Sequence, residues 1–182
     1  MKNNSVKTVV AVGIGAALFF VLGRFVSIPS PVPNTNITLQ YAVLGMLAAM
    51  FGPVAGGLIG FIGHALIDLS WGGAPWWSWV IASAFVGVIV GLFAKKMKIS
   101  EGEFGKKGVL TFCIANIIAH VVAWIGIAPV LDILIYAEPV DKVFAQGAMA
   151  AAGNIVTTLV VGLLLIFAYT KTIAKKGSLT KE

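Results

Sequence analysis

The sequence predicts an all-α integral membrane protein, a bundle of six transmembrane helices with both termini in the cytoplasm. Three observations carry this. The 182 residues are 59% hydrophobic and 11% charged, with a mean hydropathy of +0.98, whereas soluble domains carry about a quarter charged residues. Several apolar runs approach the ~20 residues that cross a bilayer as helix, and they lack the period-two alternation of a membrane barrel. The lysines gather at the ends of those runs, as topology signals do.

The first span runs from about Thr8 to Val26, behind a polar start containing Lys2 and Lys7. It is long for the apolar core of a signal peptide and lacks a small-x-small cleavage site, so it is expected to be retained. Two pairs in it, Ala11/Gly15 and Gly13/Ala17, have the small-xxx-small spacing that lets another helix approach closely in lipid. The spacing chooses neither between the pairs nor between a neighbour in the same chain and a partner. Arg24 closes the span, and Ser27 to Asn36 reads as an extended loop with prolines at 29, 31 and 33, which has little conformational freedom to lose.

Spans two and three cover about residues 37–51 and 53–69, with Gly52-Pro53 turning between them. Both are short for a bilayer, so tilt or local thinning is expected. Gln40 opens span two. Gly56, Gly57, Gly60 and Gly63 mark span three as a close-packing helix. Its end carries His64 and Asp68, four apart and so on one face. The stretch Asp68 to Trp79 holds four of the five tryptophans around Gly-Gly-Ala-Pro, which cannot continue a helix. Tryptophan favours membrane boundaries, where the ring is buried and the N–H stays wet. Such a loop is a passive anchor or the lid of a binding site.

Span four covers about 77–94, and residues 95–107 form a hydrophilic connector. Span five covers about 108–128, with Asn116, His120 and Trp124 in one i, i+4, i+8 stripe. Residues 129–142 are expected to be a second outer loop, with Asp132, Tyr136, Glu138 and Asp141. Span six covers about 143–169, and a basic tail follows. The amino end has two lysines, the connector five and the tail four, together eleven of the 13 basic residues; Arg24 and Lys142 fall on the other side. The positive-inside rule puts both termini inside and the loops 27–36, 70–76 and 129–142 outside.

Several function classes are excluded or weakened. The net charge of +6 lies at span ends rather than on a soluble module, so no nucleic-acid partner is expected. Cys113 is the sole cysteine and there are two histidines, too few for a zinc or iron site. There is no phosphate-cradling loop, nucleophile elbow or kinase signature, and no strong internal repeat of the transporter kind. His64 and His120 each suit a helix–helix hydrogen bond or a substrate contact. Gln40, Asn116, Gln146 and Asn154 read first as inter-helix hydrogen bonds. Rival readings are a small autonomous carrier and a membrane enzyme using His64 with Asp68 as its base.

The segments 23–36 (Gly-Arg-Phe-Val-Ser-Ile-Pro-Ser-Pro-Val-Pro-Asn-Thr-Asn), 63–79 and 128–139, together with the Gly13/Ala17 spacing and the six-span pattern, resemble the S components of energy-coupling-factor (ECF) transporters. These are the substrate-binding subunits of ABC-type vitamin importers. The likeness covers the whole chain and is strongest to a lactobacillal group linked to cobalamin uptake. The resemblance implies a protein of the bacterial cell membrane that is not itself an enzyme and has no cofactor of its own. It would capture cobalamin or cobinamide from outside with the three loops as lids. Span one would then dock on a transmembrane coupling subunit driven by two cytoplasmic ATPases. A thiamine precursor or a queuosine-type deazaguanine is the alternative cargo. The expected substrate contacts are Arg24, Asn36 and Gln40 near the first loop, His64, Asp68, Trp71, Trp76 and Trp77 around the second, and His120, Trp124 and Tyr136 from span five and the third loop. Gly13 and Ala17, with Ala11 and Gly15 as competitors, are the expected docking residues.

Overall fold

The computed structural model describes residues 2–173. Helix α1 (Lys2–Phe25) leads into a hairpin of two three-residue strands, β1 (Ser27–Pro29) and β2 (Asn36–Thr38). They pair antiparallel with Ile28 opposite Ile37. The expected extended loop is therefore partly folded back on itself. Pro31 and Pro33 sit at its tip, where no ladder donor is required.

Helices α2 (Gln40–Phe51) and α3 (Pro53–Ser70) are joined by Gly52 alone. Its φ of 88° lies in the left-handed region that a side chain rarely tolerates. Pro53 then opens α3, where the missing N–H is one of the free helix-end donors anyway. Helix α4 (Trp77–Leu92), the short α5 (Ala94–Met97) and a 3₁₀ turn (Ile99–Glu101) lead to two long helices. These are α6 (Lys106–Tyr136) and α7 (Val140–Thr172), of 31 and 33 residues.

Each long helix widens to a π-helical stretch, at Val122–Ile127 in α6 and Thr158–Gly162 in α7. In α6 this corrects a sequence expectation. Residues 129–142 read as a loop because of Pro129, but the helix continues to Tyr136. The wider turn just before the proline absorbs the backbone mismatch that would otherwise break the helix. The connection shrinks to residues 137–139, with Ala137 left-handed at φ 52°.

Four helical stretches are long and apolar enough to cross a membrane: Ser5–Phe25, Pro53–Ser70, Lys106–Tyr136 and Val140–Thr172. The expected spans 37–51 and 77–94 correspond to helices of 12 and 16 residues. At ~1.5 Å per residue, these are shorter than a hydrocarbon core of ~30 Å. The hairpin, the tryptophan loop and the 137–139 connection gather at one end of the bundle. The lysine-bearing connector packs at the other, where the Ser100 hydroxyl donates to the carbonyl of Met50 at 3.2 Å. Lys175, Lys176 and Lys181 of the basic tail lie outside the described residues.

Glycine decides how closely α3 and α4 pack. A methyl group at Gly56 would meet the carbonyl of Gly87, and one at Gly60 would meet that of Ser83. The core around this pair contains Phe19, Tyr41, Leu44, Ile59, Phe112, Trp124 and Ile166, all buried. Large apolar side chains such as Val9, Leu58, Ile118, Leu134 and Leu164 instead face outward. That exposed apolar belt is what a lipid-facing bundle presents.

The two small-residue pairs of α1 separate cleanly. Ala11 and Gly15 are buried, and a side chain at Gly15 would strike Leu47 and Ile59. Gly13 and Ala17 are exposed, and nothing lies within 4 Å of a methyl built on Gly13. The first pair is an intrachain packing face; the second lies open on the surface.

Candidate functional site

Two adjoining cavities lie at the tryptophan end, of about 380 and 180 Å³. Asn34, His64, Asp68 and Trp79 line both. The larger, outer cavity is closed by Trp76, Asp132, Glu138, Lys142 and Gln146. The inner one is walled by Trp71, Trp124, the hairpin residues Thr35, Asn36 and Thr38, and by Gln40, Tyr41 and Asn154.

A buried carboxylate organises the outer wall. Asp132 on α6 is 2% exposed and accepts hydrogen bonds from the indole N–H of Trp76 at 2.6 Å and of Trp79 at 2.8 Å. It also accepts from the hydroxyl of Ser78. Charge-assisted bonds of this kind offset the cost of burying an ionised group. The result is a fixed indole pair on the first turn of α4. Tyr136, one turn beyond Asp132, stacks on Trp76 with ring centroids 4.1 Å apart, and its hydroxyl accepts the backbone N–H of Trp77 at 2.9 Å.

Asp68 holds the loop between α3 and α4, accepting the backbone N–H of Trp76 at 2.8 Å. Its other oxygen lies 3.7 Å from His64 Nε2. His64 Nδ1 is 2.5 Å from the Ser83 hydroxyl, which is 2.8 Å from the hydroxyl of Tyr41. This polar chain links α3, α4 and α2, with His64 and Tyr41 on the cavity wall. The hairpin is fastened to α7 by Gln146, whose Nε2 donates to the carbonyl of Pro33 at 2.9 Å. Glu138 and Lys142 pair at 2.5 Å at the rim. Three residues that line the inner cavity, Thr38, Gln40 and Asn154, each carry a side-chain oxygen (Oγ1, Oε1 and Oδ1) that is shielded from solvent and has no hydrogen-bond partner among the described residues.

The structure brings seven of the eleven expected substrate contacts to the cavity walls: Asn36, Gln40, His64, Asp68, Trp71, Trp76 and Trp124. The other four stand elsewhere. His120 is fully buried behind Trp124. Its Nδ1 accepts the Trp124 indole N–H at 2.9 Å, and Nε2 lies 3.3 Å from the Thr158 hydroxyl. An indole can only donate, so the imidazole proton sits on Nε2. His120 orients a wall residue from behind. Arg24 lies over the Trp71 ring, Trp77 stacks on Phe61, and Tyr136 backs Trp76.

Sequence reasoning missed Trp79, Asp132, Thr38 and Asn154 as wall residues. Trp79 is three residues after Trp76 on one helix, a spacing that places both on one face. Asp132 was masked by the assumption of a loop. Asn154 read first as an inter-helix hydrogen bond, and Thr38 carries no local signal of its own.

A protein-family model described as "ECF-type riboflavin transporter, S component" matches residues 3–171. The UPF0397 protein of Lactococcus lactis subsp. cremoris (strain NZ9000) is 53% identical over 182 residues, covering 100% of both chains. That of Clostridium perfringens (strain SM101 / Type A) is 53% identical over 184 residues, again with full coverage of both. That of Enterococcus faecalis (strain ATCC 700802 / V583) is 51% identical over 178 residues, 98% of this chain and 97% of the relative. The solved structure of ThiT from Listeria monocytogenes superposes with a TM-score of 0.71 over 92% of this chain and 96% of that one; at 17% identity this likeness speaks to fold alone. With a family match over residues 3–171 and four helices long and apolar enough to cross a membrane, the protein belongs to the S components of ECF-type transporters, multi-pass proteins of the cell membrane.

Proposed function

We propose that this chain captures a small vitamin-type molecule in the two-part cavity at its tryptophan end, facing outward, and delivers it by docking on an ECF module. The observation that carries this reading is the cavity itself. It is walled by indoles, bordered by the hairpin and the 71–76 loop, and set at the end opposite the lysine-bearing connector 95–107. Positive-inside logic puts the lysine end in the cytoplasm, and all six apolar helices would then lie in the bilayer, with α2 and α4 in locally thinned or protein-lined regions.

As membership of the S components implies, the module would consist of a transmembrane coupling subunit and two ATPases. The exposed Gly13/Ala17 face of α1 supports docking there. An apolar groove of about 370 Å³ between α1 and α2 is lined by Val6, Val10, Ala11, Ile14, Gly15, Leu47 and Phe51, so the competing pair Ala11/Gly15 borders it. Small residues on an open helix face permit the close helix approach that association in lipid needs.

The larger cavity, about 380 Å³, falls within the ~300–1,000 Å³ usual for a drug-sized ligand, and the adjoining one, about 180 Å³, extends it. Size thus favours a compact flat cargo of flavin, thiamine-precursor or deazaguanine type. Cobalamin, the cargo suggested by resemblance, is the second reading; a corrin macrocycle would enter only with the hairpin and the 71–76 loop displaced.

Reconstitution tests the role. Liposomes holding this chain with an ECF module should take up riboflavin, thiamine or cyanocobalamin only with ATP inside. Uptake by the chain without the module would overturn the proposal in favour of an autonomous carrier.

A further inference from the structure

At the lysine end, far from the tryptophan cavities, a groove of about 490 Å³ runs between the first turns of α6 and the last turns of α7. Phe104, Val109, Leu110, Cys113 and Phe167 line it, together with Gly105 and Lys106 where α6 begins. Among the described residues, none from α1 contributes to its wall. The floor is preformed. Phe104 is buried and sits between Phe112 and Phe167, its ring centroid 6.4 Å from the first and 5.5 Å from the second. Gly108 lets that ring lie close against α6, since a methyl group there would come within 2.9 Å of it. The edges are open, with Leu110 60% and Phe167 41% exposed. An empty furrow forfeits the dispersion contacts of its lining, and in a bilayer an acyl chain is the group at hand to restore them.

The charge at one end of the groove selects among lipids. Lys106 stands on the wall, Lys107 follows it, and Lys171 lies four residues beyond Phe167, on the same face of α7. All three are exposed, and among the described residues none of them makes an ion pair. Glu103, the acid nearest to Lys106 in the chain, is held by Lys98 at 2.9 Å. No described side chain caps the start of α6, so its first N–H groups and the helix dipole add to the attraction for an anion. From Lys106 to Cys113 the helix advances roughly 10 Å. A phosphate at the lysines thus directs its acyl chain past Leu110 to Cys113.

We infer that this groove binds an anionic phospholipid, with one acyl chain between α6 and α7 and the headgroup phosphate held by Lys106, Lys107 and Lys171. Basic pockets between membrane helices take anionic headgroups in this way. A zwitterionic lipid would fill the apolar part equally well but would bring its own cation to the lysine cluster. The site therefore discriminates by headgroup and not by chain. The inference is independent of the substrate-capture reading, because it needs only that the chain lies in a bilayer.

Cys113, the sole cysteine, reports occupancy from within the groove. The full chain, purified in detergent, is titrated with dioleoyl phosphatidylglycerol or dioleoyl phosphatidylcholine, and the rate of its reaction with N-ethylmaleimide is followed. Phosphatidylglycerol should slow the reaction at a concentration at least fivefold below that needed with phosphatidylcholine. Lys106→Gln with Lys107→Gln should erase most of that difference, at about fivefold for each lysine lost. Lys95→Gln with Lys96→Gln removes the same charge from the connector, away from the groove, and should leave the difference intact. Lipid retained by each variant, counted by native mass spectrometry, gives the same comparison without relying on thiol reactivity.

Equal protection by the two lipids would overturn the inference, leaving the groove with ordinary boundary lipid. Equal loss in both lysine pairs would overturn it too, because the preference would then belong to the charge of the whole end. Protection of Cys113 by a bound coupling subunit, with neither lipid effective, would assign the groove to a protein partner instead.

Discussion

The guanidinium of Arg24, at the end of α1, lies 3.6 Å from the centre of the Trp71 ring, the first residue after α3. One contact therefore ties the helix bearing the open Gly13/Ala17 face to the loop that closes the inner cavity. Such cation–π pairs are worth ~0.5–1 kcal/mol at exposed sites and about 2 when desolvated. Trp71 is 63% exposed, which puts this pair at the weaker end.

Arg24→Ala should release the loop without unfolding the bundle. Dissociation of bound substrate, followed by stopped-flow fluorescence, is expected to quicken about two- to fivefold, the factor that ~0.5–1 kcal/mol allows. Arg24→Lys should fall between the two. An unchanged off-rate would show that the contact does not restrain the lid.

Asp132 is the strongest single tie at the site, because three donors converge on it. Asp132→Ala leaves two indole N–H groups and a hydroxyl unpaired. At the usual cost of losing a charged acceptor, the loss of stability should be about 2–4 kcal/mol. Asp132→Asn, which retains one acceptor oxygen, should lose about half of that. Unfolding in detergent, read by tryptophan emission, measures both.

The two faces of α1 should respond in opposite ways. Gly13→Leu with Ala17→Leu adds bulk to an open surface, so substrate binding and stability should hold while co-purification with a coupling subunit is lost. Gly15→Leu drives a side chain into Leu47 and Ile59 and should destabilise the isolated chain by about 1–3 kcal/mol, the range for overpacking. A double variant at positions 13 and 17 that still docks and transports would remove α1 from the interface.

Gly87→Ala places a methyl group against the backbone of Gly56. Helices α3 and α4 must part, and the 2.5 Å contact between His64 and Ser83 that spans them parts too. The expected signature is a loss of about 1–3 kcal/mol in stability together with weaker substrate binding. Ala82→Gly on the same helix would not reproduce the second effect. Calorimetric titration alongside thermal unfolding separates the two consequences.

Much of this was legible in the chain because it rests on local rules. Hydropathy marked the helices, Gly52-Pro53 marked a turn whose φ only glycine tolerates easily, and the His64–Asp68 spacing placed the pair on one face. The tryptophan cluster lies at the end of the bundle that holds the two adjoining cavities. What misled was Pro129. Proline normally ends a helix, and nothing local announces the π-helical stretch at Val122–Ile127 that lets α6 continue to Tyr136. Trp124 was counted as a contact and His120 with it, since the stripe could not say which residue faces the cavity and which stands behind.

The sequence by itself determined that the chain is helical and apolar, where its charges lie, and which end carries the aromatic and acidic residues. These follow from composition and from periodicities of a few residues. Only the tertiary structure decided that Gly13/Ala17 rather than Ala11/Gly15 faces outward, that Asp132 anchors two indoles, and that Thr38, Gln40 and Asn154 share one small cavity. Those residues lie as far as 116 positions apart, from Thr38 to Asn154. Their meeting depends on how α2 and α7 cross, which is fixed by packing across the whole bundle rather than by any local pattern.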